Sequence, residues 1–210
     1  MANNKGGGIV ALGPSDCEIL CDLGAGDKIV ARGSMCDYPE SVKSIPDVGS
    51  GDTLNTEAIL KLKPDTIVMP QSGYTINQVN ALPNPYVYNV YTMNDMYNYI
   101  LKLGEISDRK SEAENMVSGM KAKLDQTPIS QKKVCLLVAP CDQGIWVAGK
   151  YTFQDEVMRA NNVFSDVEGW VQVSPEQLES RHPDLIIECY NDPRMMRPGP
   201  RLVEAFEEYR

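Results

Sequence analysis

Short apolar runs alternate with helical patterns along most of this chain. In the first half, four runs containing β-branched or aromatic residues predict strands, because such residues suit a buried sheet. These strands are Gly8–Leu12, Lys28–Arg32, Thr66–Met69 and Tyr86–Val90. Apolar residues at helical spacing predict helices at Cys17–Leu23 and Thr53–Leu62. The β-α-β-α-β order predicts a parallel, right-handed α/β layer.

The second half repeats the alternation after a longer helical stretch. Helical spacing runs from Thr92 to Leu124, with a break predicted at Ser107–Arg109. A second α/β set follows, and its predicted elements are a strand at Lys133–Val138, a helix near Phe153–Ala160, a helix and strand within Ser174–Ile187, and a closing helix at Pro200–Tyr209.

One sequence device occurs twice. Glu57 and Glu176 each open a predicted helix, and each helix stops at a Pro-Asp pair that leads into an apolar run. Glutamate near a helix start complements the macrodipole, and proline ends the helix. The repeat predicts two similar α/β lobes, and the cleft between two lobes is the default binding site.

The predicted domain organisation follows from this repeat and from the helical stretch. We expect an N-terminal lobe over 1–91, an interlobe helix over 92–126 and a C-terminal lobe over 127–210. A rigid helical strut limits opening to a small tilt, whereas loop crossovers absorb large dihedral changes.

Composition narrows the choice of partners. The 210 residues are 42% hydrophobic, and no apolar run approaches the ~20 residues of a membrane span. A net charge of −9 argues against nucleic acid, whose phosphates need a basic patch. The segment Met1–Gly8 lacks a secretory apolar region, and its glycines favour a trimmed start over a native cytosolic one.

Metal and catalytic chemistry find little support. The chain has no Cys-x2-Cys pair, and its one histidine, His182, lies in a Pro-Asp turn. Cys17 and Cys21 could face one metal ligand site, but cysteines more often serve as small buried hydrophobic residues. A disulfide between Cys135 and Cys141 cannot be inferred, because sequence does not reveal connectivity. No Gly-x-Ser-x-Gly elbow, phosphate loop or histidine-based acid–base set is present, which disfavours an enzyme. The remaining cysteines are Cys36 and Cys189.

Several segments together resemble the helical-backbone (class III) substrate-binding proteins of ABC importers. They are Ile9–Ser15, Leu23–Asp27, Cys36–Pro39, Ile45–Gly49, Leu62–Asp65 and Arg197–Val203. The resemblance is greatest to the cobalamin-binding branch, whose relatives carry siderophores and haem. It implies two Rossmann-like lobes with parallel sheets, a rigid connecting helix, a ligand in the cleft, no catalysis and no intrinsic cofactor.

The resemblance also implies partners and a location. Glu57 and Glu176 match lobe-tip glutamates that engage arginines on the transporter's membrane subunits; the alternative is ordinary helix-start charge. The family works in the periplasm or outside the cell, with a lipid anchor in the precursor left open. The chain is shorter than the family pattern between Glu188 and Arg197, so the second lobe is expected to be shortened, by nature or by design.

Ligand-binding candidates come from both halves of the chain. Trp170 and Pro14 match cleft residues of the family, whereas Met35 and Gly51 stand where the cobalamin branch has a tyrosine and a tryptophan. Further candidates are Trp146 and Tyr74, which follow predicted strands, and the resemblance adds Asp192, in a loop where the family can contact ligand. We expect the two tryptophans on opposite lobes, facing one cleft; each aromatic could instead be a surface or core residue.

Three functions compete at this point. The first is capture of a corrinoid for an importer, with haem or a ferric siderophore as the alternative ligand. The second is a sensor or scaffold that uses the same fold without transport. The third, an enzyme, is the least supported by the motifs.

Overall fold

The computed structural model describes residues 7–138 and 145–189. The chain divides into two compact units. The first comprises the residues up to Val90 together with Asn94–Lys121, and the second comprises Tyr91–Met93 together with the residues from Ala122 onward. Each unit has its own sheet and its own hydrophobic core.

The first unit contains the parallel sheet that the sequence predicts. Its strands are β1 (Ile9–Ala11), β2 (Ile29–Arg32), β3 (Thr66–Pro70) and β4 (Pro85–Tyr88). They lie in the order β2-β1-β3-β4, and all three pairings are parallel. Three consecutive residues of β3, from Ile67 to Met69, are completely buried, as a central parallel strand with both faces covered requires.

Five α-helices lie between and after the strands of this sheet. They are α1 (Pro14–Asp22), α2 (Thr56–Leu62), α3 (Ile76–Asn80), α4 (Met93–Ile106) and α5 (Lys110–Gln126), with short 3-10 helices at Gly26–Lys28, Glu40–Ser44 and Gly51–Thr53. The predicted helices of this half are confirmed, and α3 is an addition.

The predicted break in the long helical stretch is also confirmed. Asp108 adopts a left-handed φ of 54°, and the Ser107 hydroxyl donates to the Leu103 carbonyl at 2.6 Å, which closes the end of α4. A Cβ on Gly104 would lie only 2.4 Å from the Ala113 Cβ, so α4 and α5 approach each other closely there. The stretch is therefore two packed helices, and its role as a rigid connection stays a prediction.

The second unit is built on a mixed sheet. Its strands are β5 (Ser130–Val138), β6 (Ile145–Ala148), β7 (Ala160–Asn162), β8 (Trp170–Val173) and β9 (Leu185–Cys189), with helices α6 (Phe153–Met158) and α7 (Pro175–Glu179). β7 and β9 pair with β5 in parallel, whereas β6 pairs antiparallel with both β5 and β8. The expected all-parallel second sheet is thus wrong. Only the residues 139–144 separate β5 from β6, and a parallel connection needs about a dozen.

The sequence repeat performs the same structural task in both units. The Gly8 N–H donates to the Asp65 carboxylate at 2.8 Å, and the Asp65 N–H donates to the Gly8 carbonyl at 2.9 Å. In the second unit, the Lys133 N–H donates to the Asp184 carboxylate at 2.8 Å, and the Asp184 N–H donates to the Lys133 carbonyl at 2.7 Å. Each aspartate therefore ties the turn after its helix to the first strand of its unit.

The backbone around the repeat is equally matched. Lys63 and His182 both adopt the left-handed region, with φ of 50° and 46°. The proline that follows each of them is buried. His182 is thus a turn residue at a helix end, as its place in the sequence predicts.

A buried carboxyl group joins three elements of the first unit. Asp16 on α1 is fully buried and accepts hydrogen bonds from the Gly13 N–H at 2.7 Å, the Tyr88 hydroxyl at 2.6 Å and the Tyr99 hydroxyl. The rings of Tyr88 on β4 and Tyr99 on α4 stack with centroids 4.0 Å apart. A Cβ on Gly13 would lie 2.8 Å from the Tyr88 hydroxyl, so this cluster needs glycine there. Burial raises the pKa of Asp16 to about 6, against the lowering effect of these hydrogen bonds.

We predict that Asp16 makes the chain more stable in mild acid. Its folded pKa of about 6 exceeds the ordinary 3.8, so the folded state holds the proton more tightly. This stability is fully present below pH 3.8 and is lost as the pH rises through 6. The parent chain should gain up to about 3 kcal/mol over Asp16→Asn between pH 7 and pH 4, measured by urea unfolding. Parallel stability curves for the two proteins would contradict the assignment.

We predict that the repeated aspartates contribute equally. Asp65→Ala and Asp184→Ala should each lower the unfolding free energy by about 1 kcal/mol, because each leaves backbone groups of the first strand without their carboxylate partner. Asp52→Ala, at an exposed aspartate of the first unit, is the matched control. Denaturant unfolding measures the effect, and losses no larger than that of the control would show that the carboxylates are dispensable.

Candidate functional site

Three first-unit candidates lie at one edge of the parallel sheet. Pro14 opens α1 after β1, Met35 lies in the loop after β2, and Tyr74 follows β3. The carboxyl ends of parallel strands share one edge, which is where α/β folds collect ligand contacts. Pro14 is exposed, and Met35 has 66% of its surface exposed.

The fourth candidate, Gly51, belongs to the same neighbourhood. Its carbonyl accepts a hydrogen bond from the Gln78 side chain at 2.8 Å. A Cβ at Gly51 would lie 3.5 Å from the Gly73 carbonyl oxygen, one residue before Tyr74. The half-buried Tyr74 donates its hydroxyl to the Leu12 carbonyl at 3.5 Å, and burial raises its pKa. The structure therefore brings all four first-unit candidates together.

Hydrogen bonds to Asp47 order the loop that carries Met35. The Ser34 hydroxyl and the Gly49 N–H donate to Asp47 at 2.9 Å and 2.8 Å. The bond from Gly49 is the main reason that the pKa of Asp47 is lowered. The Ser34 N–H also donates to the Ser50 hydroxyl at 2.9 Å, so two loops of this edge are linked.

The two tryptophans lie together in the second unit, so their expected placement on opposite lobes is wrong. Trp146 is on β6 and Trp170 on β8, which are adjacent antiparallel strands. Trp146 pairs with Gln172 and Trp170 pairs with Ala148, which places both tryptophans on one face as diagonal neighbours. The expectation of opposite lobes also disagreed with the predicted C-terminal lobe, 127–210, which contains both residues.

The opposite face of these strands forms the core. Ile145 and Val147 are buried in it, and Val171 and Val173 pack against them. Period-two alternation therefore turns the tryptophans away from this core. Trp146 has 36% of its surface exposed, and Trp170 is half-buried.

The glutamates of the repeat are exposed in both units. Glu57 lies in the first turn of α2 and Glu176 in the first turn of α7. A side chain caps the start of each helix. The Asn55 side chain accepts a hydrogen bond from the Ala58 N–H, and the Ser174 hydroxyl accepts one from the Gln177 N–H. The Ser174 hydroxyl also donates to Glu176 at 2.6 Å, which lowers the pKa of that glutamate.

A pocket of about 240 Å³ adjoins α7 within the second unit. Phe164 and three valines form its apolar wall, and Gln177, Ser180 and Arg181 are among its polar lining. Arg181 forms two hydrogen bonds with Asp166, at 2.9 Å and 2.8 Å, and its guanidinium lies 5.1 Å from the Phe164 ring centroid. The positive charge of Arg181 is thus paired with Asp166, and these contacts hold the side chain at the pocket wall.

Two exposed residues extend the first-unit edge beyond the sequence prediction. Tyr38 has 63% and Ile76 70% of its surface exposed. The sequence could have indicated both residues, because Tyr38 lies three residues after the candidate Met35 and Ile76 lies two residues after the candidate Tyr74. Asp192, Cys141 and the predicted helix Pro200–Tyr209 lie outside the described residues.

Two further properties concern metals and membranes. No group of three or more His, Cys, Asp or Glu side chains within residues 7–138 and 145–189 could hold a metal ion. Over the same ranges, no helix combines the length and apolar character that crossing a bilayer requires.

Known proteins share this chain's sequence and fold. The ABC transporter substrate-binding lipoprotein YvrC of Bacillus subtilis strain 168 is 30% identical, with 95% of this chain and 77% of the relative covered. The vitamin B12-binding protein of Yersinia pestis strain Pestoides F is 32% identical, with 85% and 68% covered. A crystal structure of a possible iron-binding (periplasmic solute-binding) protein from Staphylococcus epidermidis superposes with a TM-score of 0.73 at 25% identity, covering 95% of each chain.

The family comparison agrees with these relatives and with the resemblance seen in the sequence. The sequence model of the periplasmic binding proteins matches residues 9–190. The match begins at β1 and ends just after β9, so it spans both units. This chain belongs to the periplasmic binding protein family.

Proposed function

We propose that this protein is the substrate-binding component of an ABC importer and that it captures a corrinoid of the cobalamin type. The observation that carries the proposal is sequence identity of 30% or more, over most of the chain, to relatives named for ABC transport and for vitamin B12 binding. Membership in a family of binding proteins also argues against catalysis as the main activity.

The residues support a large, partly planar ligand. The face of β6 and β8 that points away from the core offers two indole rings, one exposed and one half-buried, and aromatic rings bury much ligand surface with little loss of conformational freedom. The first-unit edge adds Met35, whose flexible thioether adapts to irregular surfaces. We propose that both sets contact the ligand, together with Pro14, Gly51, Tyr74 and Asp192.

An iron compound is the second candidate ligand. Met35 and Tyr38 expose a thioether and a phenol at the first-unit edge, and both groups can act as axial ligands of haem iron. The possible iron-binding relative favours the same class, which includes ferric siderophores. A corrinoid remains the primary proposal because the vitamin B12-binding relatives are closer in sequence.

We predict that a corrinoid quenches the tryptophan fluorescence with micromolar or better affinity. Both indoles share one face, so Trp146→Ala and Trp170→Ala should each weaken binding about tenfold, or about 1.4 kcal/mol. Tyr151→Ala, at an exposed aromatic residue of the same unit, should leave the affinity unchanged.

Calorimetry with cobalamin, cobinamide, haem and ferric siderophores separates the alternatives. Heat with haem or a siderophore alone would move the assignment to an iron compound. An absence of heat with all four would remove the proposed ligand class and favour a sensor or scaffold.

The repeated glutamates suit docking to a basic partner. Both are exposed in the first turn of matched helices, one in each unit, and the chain as a whole is acidic. We propose that Glu57 and Glu176 contact arginines on the two membrane subunits. Such rim charges are individually weak and mainly set encounter rate and register.

We predict that Glu57→Ala and Glu176→Ala leave ligand affinity unchanged but lower transport. The double variant should lose more than either single one, and high salt should reproduce the loss by screening. Glu112→Ala is the matched control, since Glu112 is an exposed glutamate in the first turn of α5 outside the repeat. Uptake is measured in cells in which the parent chain supports it. Normal uptake with the double variant would reduce the pair to helix-start charges.

A further inference from the structure

Two amide side chains meet at the carboxyl edge of the first sheet. Gln71 directly follows β3, and Asn89 directly follows β4. These strands pair in parallel with Pro70 opposite Tyr88, so the next residue of each strand lies at the same end of the sheet. The Asn89 side-chain amide donates a hydrogen bond to the Gln71 side-chain oxygen. Both residues are exposed, so a ligand can reach the pair.

The backbone fixes the positions of both amides. The Gln71 N–H donates to the Tyr88 carbonyl at 2.9 Å, which extends the β3–β4 ladder to the residues that carry the amides. The Tyr88 hydroxyl in turn donates to the buried Asp16 at 2.6 Å. A site whose backbone is already ordered loses less conformational freedom when a ligand binds.

The hydrogen-bonding capacity of the pair suits another primary amide. Each carboxamide has two N–H donors and one oxygen that can accept two hydrogen bonds. The bond between Gln71 and Asn89 uses one N–H and one acceptor position, so the pair keeps capacity of both kinds. A ligand amide can donate and accept at once. A carboxylate can only accept, and it would leave the amide oxygens of the pair facing a negative charge.

The charged groups at this edge also favour an uncharged ligand group. Proteins that recognise carboxylates often use a bidentate arginine. Arg32, the last residue of β2, instead lies 3.6 Å from the Asp47 carboxylate, and its side chain is only 13% exposed. The positive charge at this end of the sheet is therefore paired with a carboxylate of the chain itself.

We propose that Gln71 and Asn89 are specificity-determining residues that bind the primary amide side chains of a corrinoid, a role that rests on the proposed function and defines its ligand chemistry. Such amides surround a corrin ring, whereas haem carries carboxylates. Neighbouring strands lie about 4.8 Å apart, so the edge spans about 14 Å from β2 to β4. A macrocycle that contacts Met35 and Tyr74 can therefore reach the Gln71–Asn89 pair with its amide side chains.

Calorimetry of the purified full chain with two corrinoids tests this role. Cobinamide carries amide side chains, and cobyrinic acid carries carboxylates on the same ring. Gln71→Ala and Asn89→Ala should each weaken cobinamide binding about fivefold, because each removes hydrogen bonds to the ligand, and should change cobyrinic acid binding by less than about twofold. Asn115→Ala, at an exposed asparagine of α5, is the matched control and should leave both affinities unchanged.

Gln71→Glu should act in the opposite direction. The introduced carboxylate can still accept from a ligand amide but repels ligand carboxylates, so the preference for cobinamide over cobyrinic acid should rise about threefold. Equal losses for the two corrinoids in the alanine variants, or unchanged cobinamide affinity, would overturn the role of the pair and leave the proposed function intact. An absence of heat when the parent chain meets cobinamide would overturn both.

Discussion

The hydrogen bonds made by Asp65 and Asp184 fix the strand register of each unit. In both cases an aspartate after a helix-ending proline binds the backbone at the first strand. The same register follows, since Ile9 pairs with Thr66 and Val134 pairs with Leu185, equivalent positions in the two copies. Register decides which residues reach each end and each face of the sheet. The placement of Pro14 and Tyr74, which follow β1 and β3, therefore depends on this turn.

Polar groups buried beneath the first-unit edge are held by complementary partners. Asp16 is surrounded by two tyrosine hydroxyls and a backbone N–H, and the buried Cys36 thiol donates to the Ala11 carbonyl at 3.7 Å. A buried group without partners would cost several times the net value of a hydrogen bond. This paired arrangement lets α1 begin directly after β1 and presents Pro14 at the surface.

In the proposed function, the two units position their ligand-contacting residues differently. The first places residues in loops at the carboxyl edge of a parallel sheet, and the Asp47 hydrogen bonds order one of these loops. The second places Trp146 and Trp170 on the face of an antiparallel pair of strands, where the backbone itself fixes their spacing. Loops tolerate substitution better than strands do. In our proposal, differences such as Met35 and Gly51 would therefore tune the ligand, while the tryptophans supply the common surface.

The sequence by itself determined the α/β class, the repeat, the first sheet and the break between α4 and α5. These features rest on local signals, such as apolar runs, a proline after a helix, and helical spacing interrupted at Ser107–Arg109. The resemblance to the family indicated Pro14 and Met35, whereas the position after a predicted strand indicated Tyr74.

Only the tertiary structure decided the mixed second sheet and the common face of the tryptophans. The strand β7 is Ala-Asn-Asn, which has no apolar pattern, and it exists because the edge of β5 offers backbone partners. The hydrogen bonds of Tyr88 and Tyr99 to Asp16 likewise join residues from separate segments. Strand pairing and side-chain contact over long sequence separations depend on how the elements pack, and no local pattern of residues encodes them.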